Sequence, residues 1–131
     1  MGEGYSVRCA ECGWSRSPLM TGVGVAYCDL EDVLDVIELP WRGEVLALLR
    51  EGRVLTNNFG HALHCCPGCG DISSHFVVDL ALKGGGTYHT RFQCTLCGTE
   101  LVPASPEELK RAPCPACGRK ALTCQEALLW D

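Results

Sequence analysis

The residues with the clearest chemistry in this sequence are eight cysteines, which occur in four short motifs of the pattern Cys-x-x-Cys-Gly. These motifs, called knuckles 1 to 4 here, are Cys9–Gly13, Cys66–Gly70, Cys94–Gly98 and Cys114–Gly118. Two cysteines separated by two residues can bind one metal ion through a tight turn, whose backbone N–H groups point at the first sulfur. The glycine that follows adopts a positive φ without steric cost. A single Cys-x-x-Cys could be a redox pair, but four copies with the same glycine predict metal binding.

We therefore predict two closed sites, each with four thiolate ligands around one Zn²⁺ ion. The predicted ligands are Cys9, Cys12, Cys66, Cys69, Cys94, Cys97, Cys114 and Cys117. Iron is the less favoured metal. Paired knuckles resemble the iron site of rubredoxin, but rubredoxin-like proteins carry an aromatic cluster around that site, whereas the nine aromatic residues here are spread along the chain.

The sequence leaves open which knuckles share an ion, although it favours a sequential pairing. Knuckles 3 and 4 enclose 16 residues, a spacing typical of zinc sites, which leaves knuckle 1 to pair with knuckle 2. The alternative pairs knuckle 2 with knuckle 3 across a β-hairpin, as transcription-factor-type zinc ribbons do. It joins the two terminal knuckles over the whole chain, at a larger loop-closure cost.

The other cysteines and the histidines have less specific interpretations. Cys28 and Cys124 are expected to be core residues, and the register with Gly70 selects Cys66 rather than Cys65 for knuckle 2. The eight knuckle cysteines already fill two closed sites, so none of the four histidines is needed as a ligand.

The elements that must position the knuckles indicate a small, metal-stabilised α+β fold. It would contain two zinc ribbons, built on short antiparallel β-hairpins, and a helical-hairpin insertion at about residues 29–52. In that insertion Asp29 can cap a first helix, Pro40 ends it, and a second helix runs from Trp41 towards Gly52. The first helix would present one apolar face, made of Leu30, Val33, Leu34 and Ile37.

Three further elements follow the insertion. Alternating apolar residues on either side of a glycine-rich turn predict a β-hairpin over residues 74–94. Ser105 and Pro106 mark the start of a short helix, and residues 121–131 read as a last strand. We expect a first ribbon with the insertion over residues 1–82, and a second, C-terminal ribbon over residues 83–131.

Composition limits the classes of function. The 131 residues begin with no signal peptide and contain no apolar stretch long enough to cross a membrane, so we expect a cytoplasmic protein with reduced thiols. The formal net charge of −5 disfavours nucleic-acid binding by the protein as a whole. Residues 83–131 are slightly basic, however, with 6 bases and 5 acids.

The sequence resembles a group of small, uncharacterised bacterial zinc-ribbon proteins. The resemblance rests on the four knuckles, on the stretches Tyr5–Gly13 and Gly22–Gly24, and on the closing Leu128–Asp131. It implies zinc-ribbon structure and a bacterial cytoplasm, and it implies no activity.

These observations together favour a structural zinc-binding protein that is not an enzyme and that serves as an adaptor for another protein. A closed site has no open coordination position for a substrate, and the sequence shows no nucleophile–base set. One alternative is a nucleic-acid-binding ribbon that uses the bases of the C-terminal half: Lys83, Arg91, Lys110, Arg111, Arg119 and Lys120. A further alternative is a redox or zinc sensor in which an oxidised knuckle releases its ion.

Overall fold

The computed structural model of the chain describes residues 2–23 and 29–130, with the backbone alone for residues 127–130. Within these ranges it contains seven β-strands, one 3-10 turn and two α-helices. In chain order they are β1 (Gly2–Cys9), β2 (Ser15–Gly22), the 3-10 turn (Leu30–Val33), α1 (Trp41–Arg50), β3 (Val54–Cys65), β4 (Ile72–Leu82), β5 (Thr87–His89), β6 (Val102–Pro103), α2 (Pro106–Lys110) and β7 (Leu122–Trp130). The expectations for Gly24, Cys28 and Asp131 lie outside the described residues. The architecture agrees with the small α+β fold expected from the sequence.

The seven strands form one antiparallel sheet, with the order β5-β4-β3-β2-β1-β7 and with β6 paired to β3. Because β7 pairs with β1, the two ends of the chain meet, and Val7 lies opposite Cys124. Strands β2 and β3 meet at a single residue pair, Gly22 with His61. A Cβ atom on Gly60 would lie only 3.3 Å from the carbonyl oxygen of Gly22, which explains a glycine at this close junction. The sheet therefore has two halves, β7-β1-β2 and β5-β4-β3, whose ladders share one residue pair.

Knuckles 1 and 2 are the turns of two β-hairpins. Knuckle 1 links β1 to β2, where Arg8 pairs with Ser15. Knuckle 2 links β3 to β4, where Cys65 pairs with Ile72. The strand pairing on both sides therefore fixes the path of each of these two metal loops.

The insertion differs from the expected helical hairpin. Asp29 caps the first segment as predicted, through a reciprocal capping box with Asp32, but the segment forms only a 3-10 turn over Leu30–Val33. The β-branched Val33, Val36 and Ile37 have low helix propensity, and Pro40 follows closely, so a longer helix is not favoured. The second helix forms as expected, as α1, and Gly52 follows it with a φ of 66°.

The predicted hairpin over residues 74–94 forms with a shorter second strand. β4 pairs with β5 through a turn that contains three glycines of positive φ. β5 ends at His89, because Thr90 bonds twice to Val78 of β4: its N–H donates to the Val78 carbonyl at 3.1 Å, and its hydroxyl accepts from the Val78 N–H at 3.0 Å.

The short helix and the last strand are confirmed. Ser105 is the N-cap of α2, and its hydroxyl accepts from the Glu108 N–H at 3.2 Å. Leu109 of α2 is fully buried, and β7 completes one edge of the sheet.

The described residues form three clusters of buried apolar side chains, and the smallest, third cluster contains Cys66, Phe92, Cys94 and Leu101. In the second cluster, Leu30, Val33, Ile37 and Val45 of the insertion pack with Phe76, Val78 and Leu80 of β4. The first cluster draws residues from both halves of the sheet and from α2, and it contains Val7, Cys9, Leu19, Leu63, Ile72, Leu109, Cys114 and Leu122. Two predicted metal ligands, Cys9 and Cys114, are thus buried members of the first cluster, which is also called the first core below.

None of the helices in the described ranges is both long enough and apolar enough to cross a membrane.

Candidate metal centres

The structure brings the eight knuckle sulfurs together in two groups. Centre 1 contains Cys9, Cys12, Cys114 and Cys117, and centre 2 contains Cys66, Cys69, Cys94 and Cys97. In each centre the four sulfur atoms lie within 4.8 Å of one another. These are the two groups of side chains able to hold a metal ion that are found in the part of the chain that the structure describes. Metal ligation by each of the eight cysteines remains a prediction.

The sequential pairing favoured by the spacing is wrong, and the structure has the alternative one. Knuckles 1 and 4 meet in centre 1, and knuckles 2 and 3 meet in centre 2. Loop length alone was a poor guide, because strand pairing brings the distant knuckles together. The β1–β7 pairing places Cys9 opposite Leu122, close to knuckle 4, and the β3–β6 pairing places Cys65 opposite Val102, close to knuckle 3.

This grouping bears on the expected division of the chain at residues 82 and 83. Each centre takes one knuckle from residues 1–82 and one from residues 83–131. The pairing of β1 with β7 also crosses that boundary. The boundary therefore does not separate the two centres.

The four knuckles share one local geometry. In each of them the glycine N–H donates to the carbonyl of the first cysteine, at 2.9–3.0 Å, and the first cysteine's N–H donates across the turn at 2.7–2.9 Å. The glycine φ values are 76–81°, in the left-handed region where other residues are strained. The positive φ expected for Gly13, Gly70, Gly98 and Gly118 is confirmed.

Backbone N–H groups point at the sulfurs of three knuckles. The N–H of Cys69 lies 3.4 Å from the Cys66 sulfur, that of Leu96 lies 3.4 Å from the Cys94 sulfur, and that of Ala116 lies 3.3 Å from the Cys114 sulfur. In every case the acceptor is the first, buried cysteine of its knuckle. Such bonds spread the negative charge of a thiolate and orient it towards a cation.

Thr99 adds a side-chain contact that the sequence analysis missed. Its hydroxyl oxygen lies 3.2 Å from the Cys97 sulfur, on the exposed side of centre 2. The Thr99 side chain, with help from its amide, lowers the pKa of Cys97 to about 6. A threonine two residues after a ligand has no special sequence signal, so only the structure identifies this contact.

Without a cation, four crowded thiols cannot all ionise, and their pKa values separate. The Cys12 amide lowers the pKa of Cys9 to about 7. The Asp71 amide lowers the pKa of Cys69, but the neighbouring Cys94 thiol and burial outweigh it and raise the value to about 12. A divalent cation at the centre of each group would stabilise all four thiolates together.

The sulfur geometry fits a tetrahedral metal ion. With metal–sulfur bonds of about 2.3 Å, the sulfurs of a tetrahedron are about 3.8 Å apart. In centre 1 the distances are 3.7 Å for Cys9–Cys117 and 3.6 Å for Cys12–Cys114. In centre 2 they are 3.4 Å for Cys66–Cys97 and 3.6 Å for Cys69–Cys94. The donor set suits Zn²⁺ or iron, and a bound ion would supply a rigid cross-link between knuckles that are distant in sequence.

The two other described cysteines, Cys65 and Cys124, and the four histidines lie outside both centres. Cys65 and Cys124 pack partly buried against the first core, and burial raises the pKa of each thiol. His64 is 2% exposed, and burial lowers its pKa. His75 lies beside Glu38 and Ser73, a contact between distant residues that had no sequence signal.

No protein-family model matches the chain, and no curated protein or solved structure is significantly similar to it. The two four-cysteine centres are of the zinc-ribbon kind, and they suit metal binding in a structural role. The particular group of bacterial proteins suggested by the resemblance is therefore not established by these comparisons.

Proposed function

We propose that this chain is a structural zinc-binding protein that acts as an adaptor, and that its metal centres take no part in catalysis. The observation that supports this most directly is the composition of the two centres: each has four protein sulfurs in contact, which leaves no coordination position for a substrate. We favour zinc over iron for the reasons given by the sequence. The cytoplasmic location and the bacterial origin remain part of the same hypothesis.

The surface that we assign to a partner protein lies beside centre 2. Leu39 is 74% exposed and Leu96 is 72% exposed, although both are large apolar side chains. Leu39 borders a groove of about 560 Å³ together with Trp41 and Phe92, and Leu96 is the tip of knuckle 3. Exposed apolar side chains beside a rigid groove are typical of protein interaction sites.

A patch centred on the tryptophans is a weaker candidate. Trp14 packs partly buried against the first core, with the Arg16 guanidinium over its ring at 5.4 Å. Trp41 packs edge-on against Phe92, with ring centroids 6.3 Å apart. The side chain of Trp130 lies outside the described residues.

The adaptor function is tested by a pull-down from the host, in which three forms of the zinc-loaded chain are compared as bait. The wild type should retain a defined partner. A Leu39→Asp/Leu96→Asp variant should lose it, and a Leu55→Asp variant should retain it, because Leu55 is 62% exposed and is not among the groove residues. Equal retention by all three would count against this surface, and the absence of any partner for the wild type would count against the adaptor.

The nucleic-acid alternative has less support. Of its six bases, Arg91 lies 3.9 Å from Glu100, Lys110 lies 3.3 Å from Glu107, and Arg119 lies 3.2 Å from Glu11. Acidic neighbours compete with phosphate for these cations.

The zinc-sensor alternative draws on the exposure of Cys12, Cys69, Cys97 and Cys117. Zinc release under mild peroxide, with the knuckle thiols oxidised, would favour that alternative over the adaptor.

A further inference from the structure

Ser73, His75 and Glu38 form a hydrogen-bonded chain that the sequence analysis did not foresee. His75 Nε2 lies 3.1 Å from Ser73 Oγ, and His75 Nδ1 lies 3.0 Å from Glu38 Oε2. A carboxylate only accepts hydrogen bonds, so the proton of a neutral His75 ring is on Nδ1, and Nε2 accepts from the serine hydroxyl. This is the atom order of a nucleophile, a general base and the acid that orients the base.

Two separate elements hold these side chains in place. Ser73 and His75 are two residues apart on β4 and project from the same face of the strand. Glu38 follows Ile37, which is fully buried in the second core, and Glu38 Oε2 also accepts from the Phe76 N–H at 3.4 Å. The carboxylate therefore reaches the histidine from the insertion, 37 residues away in sequence.

The imidazole of His75 is also fixed by aromatic contacts. Its ring stacks on Phe92, with centroids 4.5 Å apart and an interplanar angle of 18°. The buried His64 ring meets it edge-on at 5.2 Å. The His75 side chain keeps 18% exposure, so its ring is oriented but still accessible. A base that is held this way needs little reorganisation when it accepts a proton.

Two adjoining cavities give access to the serine and the histidine. A small cavity of about 140 Å³ is lined by Ser73 and His75, together with Arg16 and Gln93. The larger groove of about 560 Å³ is also lined by His75 and Gln93, and it adds the apolar rings of Trp41 and Phe92. The small cavity has room for an acyl group of a few carbons, and the groove suits an apolar or aromatic group.

We propose that Ser73 is the nucleophile of an acyl-transfer site for esters of a short acyl group with an apolar or aromatic alcohol. The Ser73 hydroxyl passes its proton to His75 Nε2 as its oxygen bonds to the ester carbonyl carbon. The alcohol oxygen then leaves with that proton, and an acyl-serine remains. Glu38 is a positioning residue that stabilises the protonated ring. We assign the stabilisation of the oxyanion to the remaining N–H groups of Arg16, whose Nη1 already donates to Asp71 at 2.8 Å and to the Ile72 carbonyl at 2.7 Å.

Water completes the reaction. It gives a proton to His75 Nε2 while its oxygen bonds to the acyl carbon, and Ser73 Oγ then leaves with that proton. The net change is one ester and one water converted to one carboxylic acid and one alcohol. The proposal goes beyond the adaptor function and departs from the expectation that the chain is not an enzyme. The two functions share the groove beside Trp41 and Phe92, but they are tested with different variants: Leu39 and Leu96 for the partner protein, Ser73 and His75 for the ester.

The first experiment treats the full, zinc-loaded chain with a fluorophosphonate probe, which modifies serines that are activated by a base. We expect one adduct, mapped by peptide mass spectrometry to Ser73. Ser73→Ala should abolish the adduct, and His75→Gln should slow labelling by at least about 100-fold. Ser74→Ala is the matched control and should label like the wild type, because the Ser74 hydroxyl lies on the other side of the strand, where it accepts from the Met20 N–H at 3.2 Å.

The second experiment measures hydrolysis of p-nitrophenyl butyrate by the wild type above the background of Ser73→Ala. Glu38→Gln should slow the labelling of Ser73 without changing the KM for the ester, and Glu38→Asp, which keeps a carboxylate, should restore part of the rate. A merely structural role for Glu38 would give the two variants the same labelling rate. Unmodified Ser73 in the wild type would overturn the proposal. Labelling without hydrolysis above background would do the same. If Ser73→Ala fails to fold, the mapped position of the wild-type adduct still decides.

Discussion

Gly70 of centre 2 lies directly against Pro115 of centre 1. A Cβ atom added to Gly70 would be 4.0 Å from the Cα atom of Pro115, at van der Waals contact. Knuckles 2 and 4 belong to different centres, so this contact joins the loops of the two metal sites. Centre 1 takes its ligands from near the two ends of the chain, and centre 2 takes its ligands from the middle. Metal binding should therefore be coupled to folding of the whole sheet.

The pairing of the knuckles can be tested by counting metal ions in double variants. Cys9→Ser/Cys117→Ser removes two ligands of centre 1 and should leave about one ion per chain. Cys9→Ser/Cys66→Ser removes one ligand from each centre and should weaken or empty both. The sequential pairing makes the opposite prediction for the two variants. Elemental analysis of the purified proteins distinguishes them, with Cys65→Ser as the control that keeps both ions.

The positive φ of the knuckle glycines predicts a local cost of substitution. Gly118 has a φ of 76° and open space around its Cβ position, so Gly118→Ala introduces backbone strain without a clash. We expect a loss of about 1–2 kcal/mol in the free energy of unfolding of the metal-loaded protein. Gly43→Ala, in α1, is the control: it has the same open space and no positive φ. It should stabilise by about 0.5–1 kcal/mol, and equal effects in urea unfolding would contradict this account.

The local geometry of the metal sites was predictable from sequence because it depends on neighbouring residues. The ligands of a knuckle, its glycine and its turn all lie within five residues, and the structure has this geometry at all four places. The capped start of α2 at Ser105 was predictable for the same reason. Such short-range features follow from backbone sterics and capping alone.

The pairing of the knuckles and the long strands could not be derived in this way. β3 runs for 12 residues, Val54–Cys65, yet most of its first half is exposed and shows no apolar alternation. It is a strand because β4 pairs with it from Val54 to Cys65. The choice of partner for knuckle 1 similarly depended on the β1–β7 pairing, which joins residues more than 100 positions apart. Contacts of this kind depend on tertiary packing and override local preference.

The hydroxyl of Thr99 should contribute to metal retention in centre 2. Thr99→Val keeps the shape of the side chain and removes the group that lies 3.2 Å from the Cys97 sulfur. Loss of such an outer hydrogen bond typically reduces metal affinity about 10–100-fold. Competition with a zinc chelator would measure the change, and centre 1 provides an internal reference. Thr87→Val, on the exposed β5, should leave both affinities unchanged.

The buried His64 predicts a loss of stability in mildly acidic solution. Burial lowers its pKa below the ordinary value of 6.5, with a smaller contribution from the neighbouring His75. The unfolded chain therefore binds the proton more readily than the folded chain does. The part of the free energy of unfolding that depends on neutral His64 is fully present above about pH 6.5. It is lost as the pH drops through that value towards the lower pKa of the folded chain.

His64→Gln should reduce this pH dependence. Glutamine does not titrate at this position, so the fall in the free energy of unfolding between pH 7.5 and pH 5.5 should be smaller than in the wild type. Protonation of the cysteine ligands also releases metal in acid, but it affects both proteins equally and cancels in the comparison. Urea unfolding at a series of pH values, with zinc in excess, provides the measurement. Parallel curves for the two proteins would show that burial of His64 does not govern acid stability.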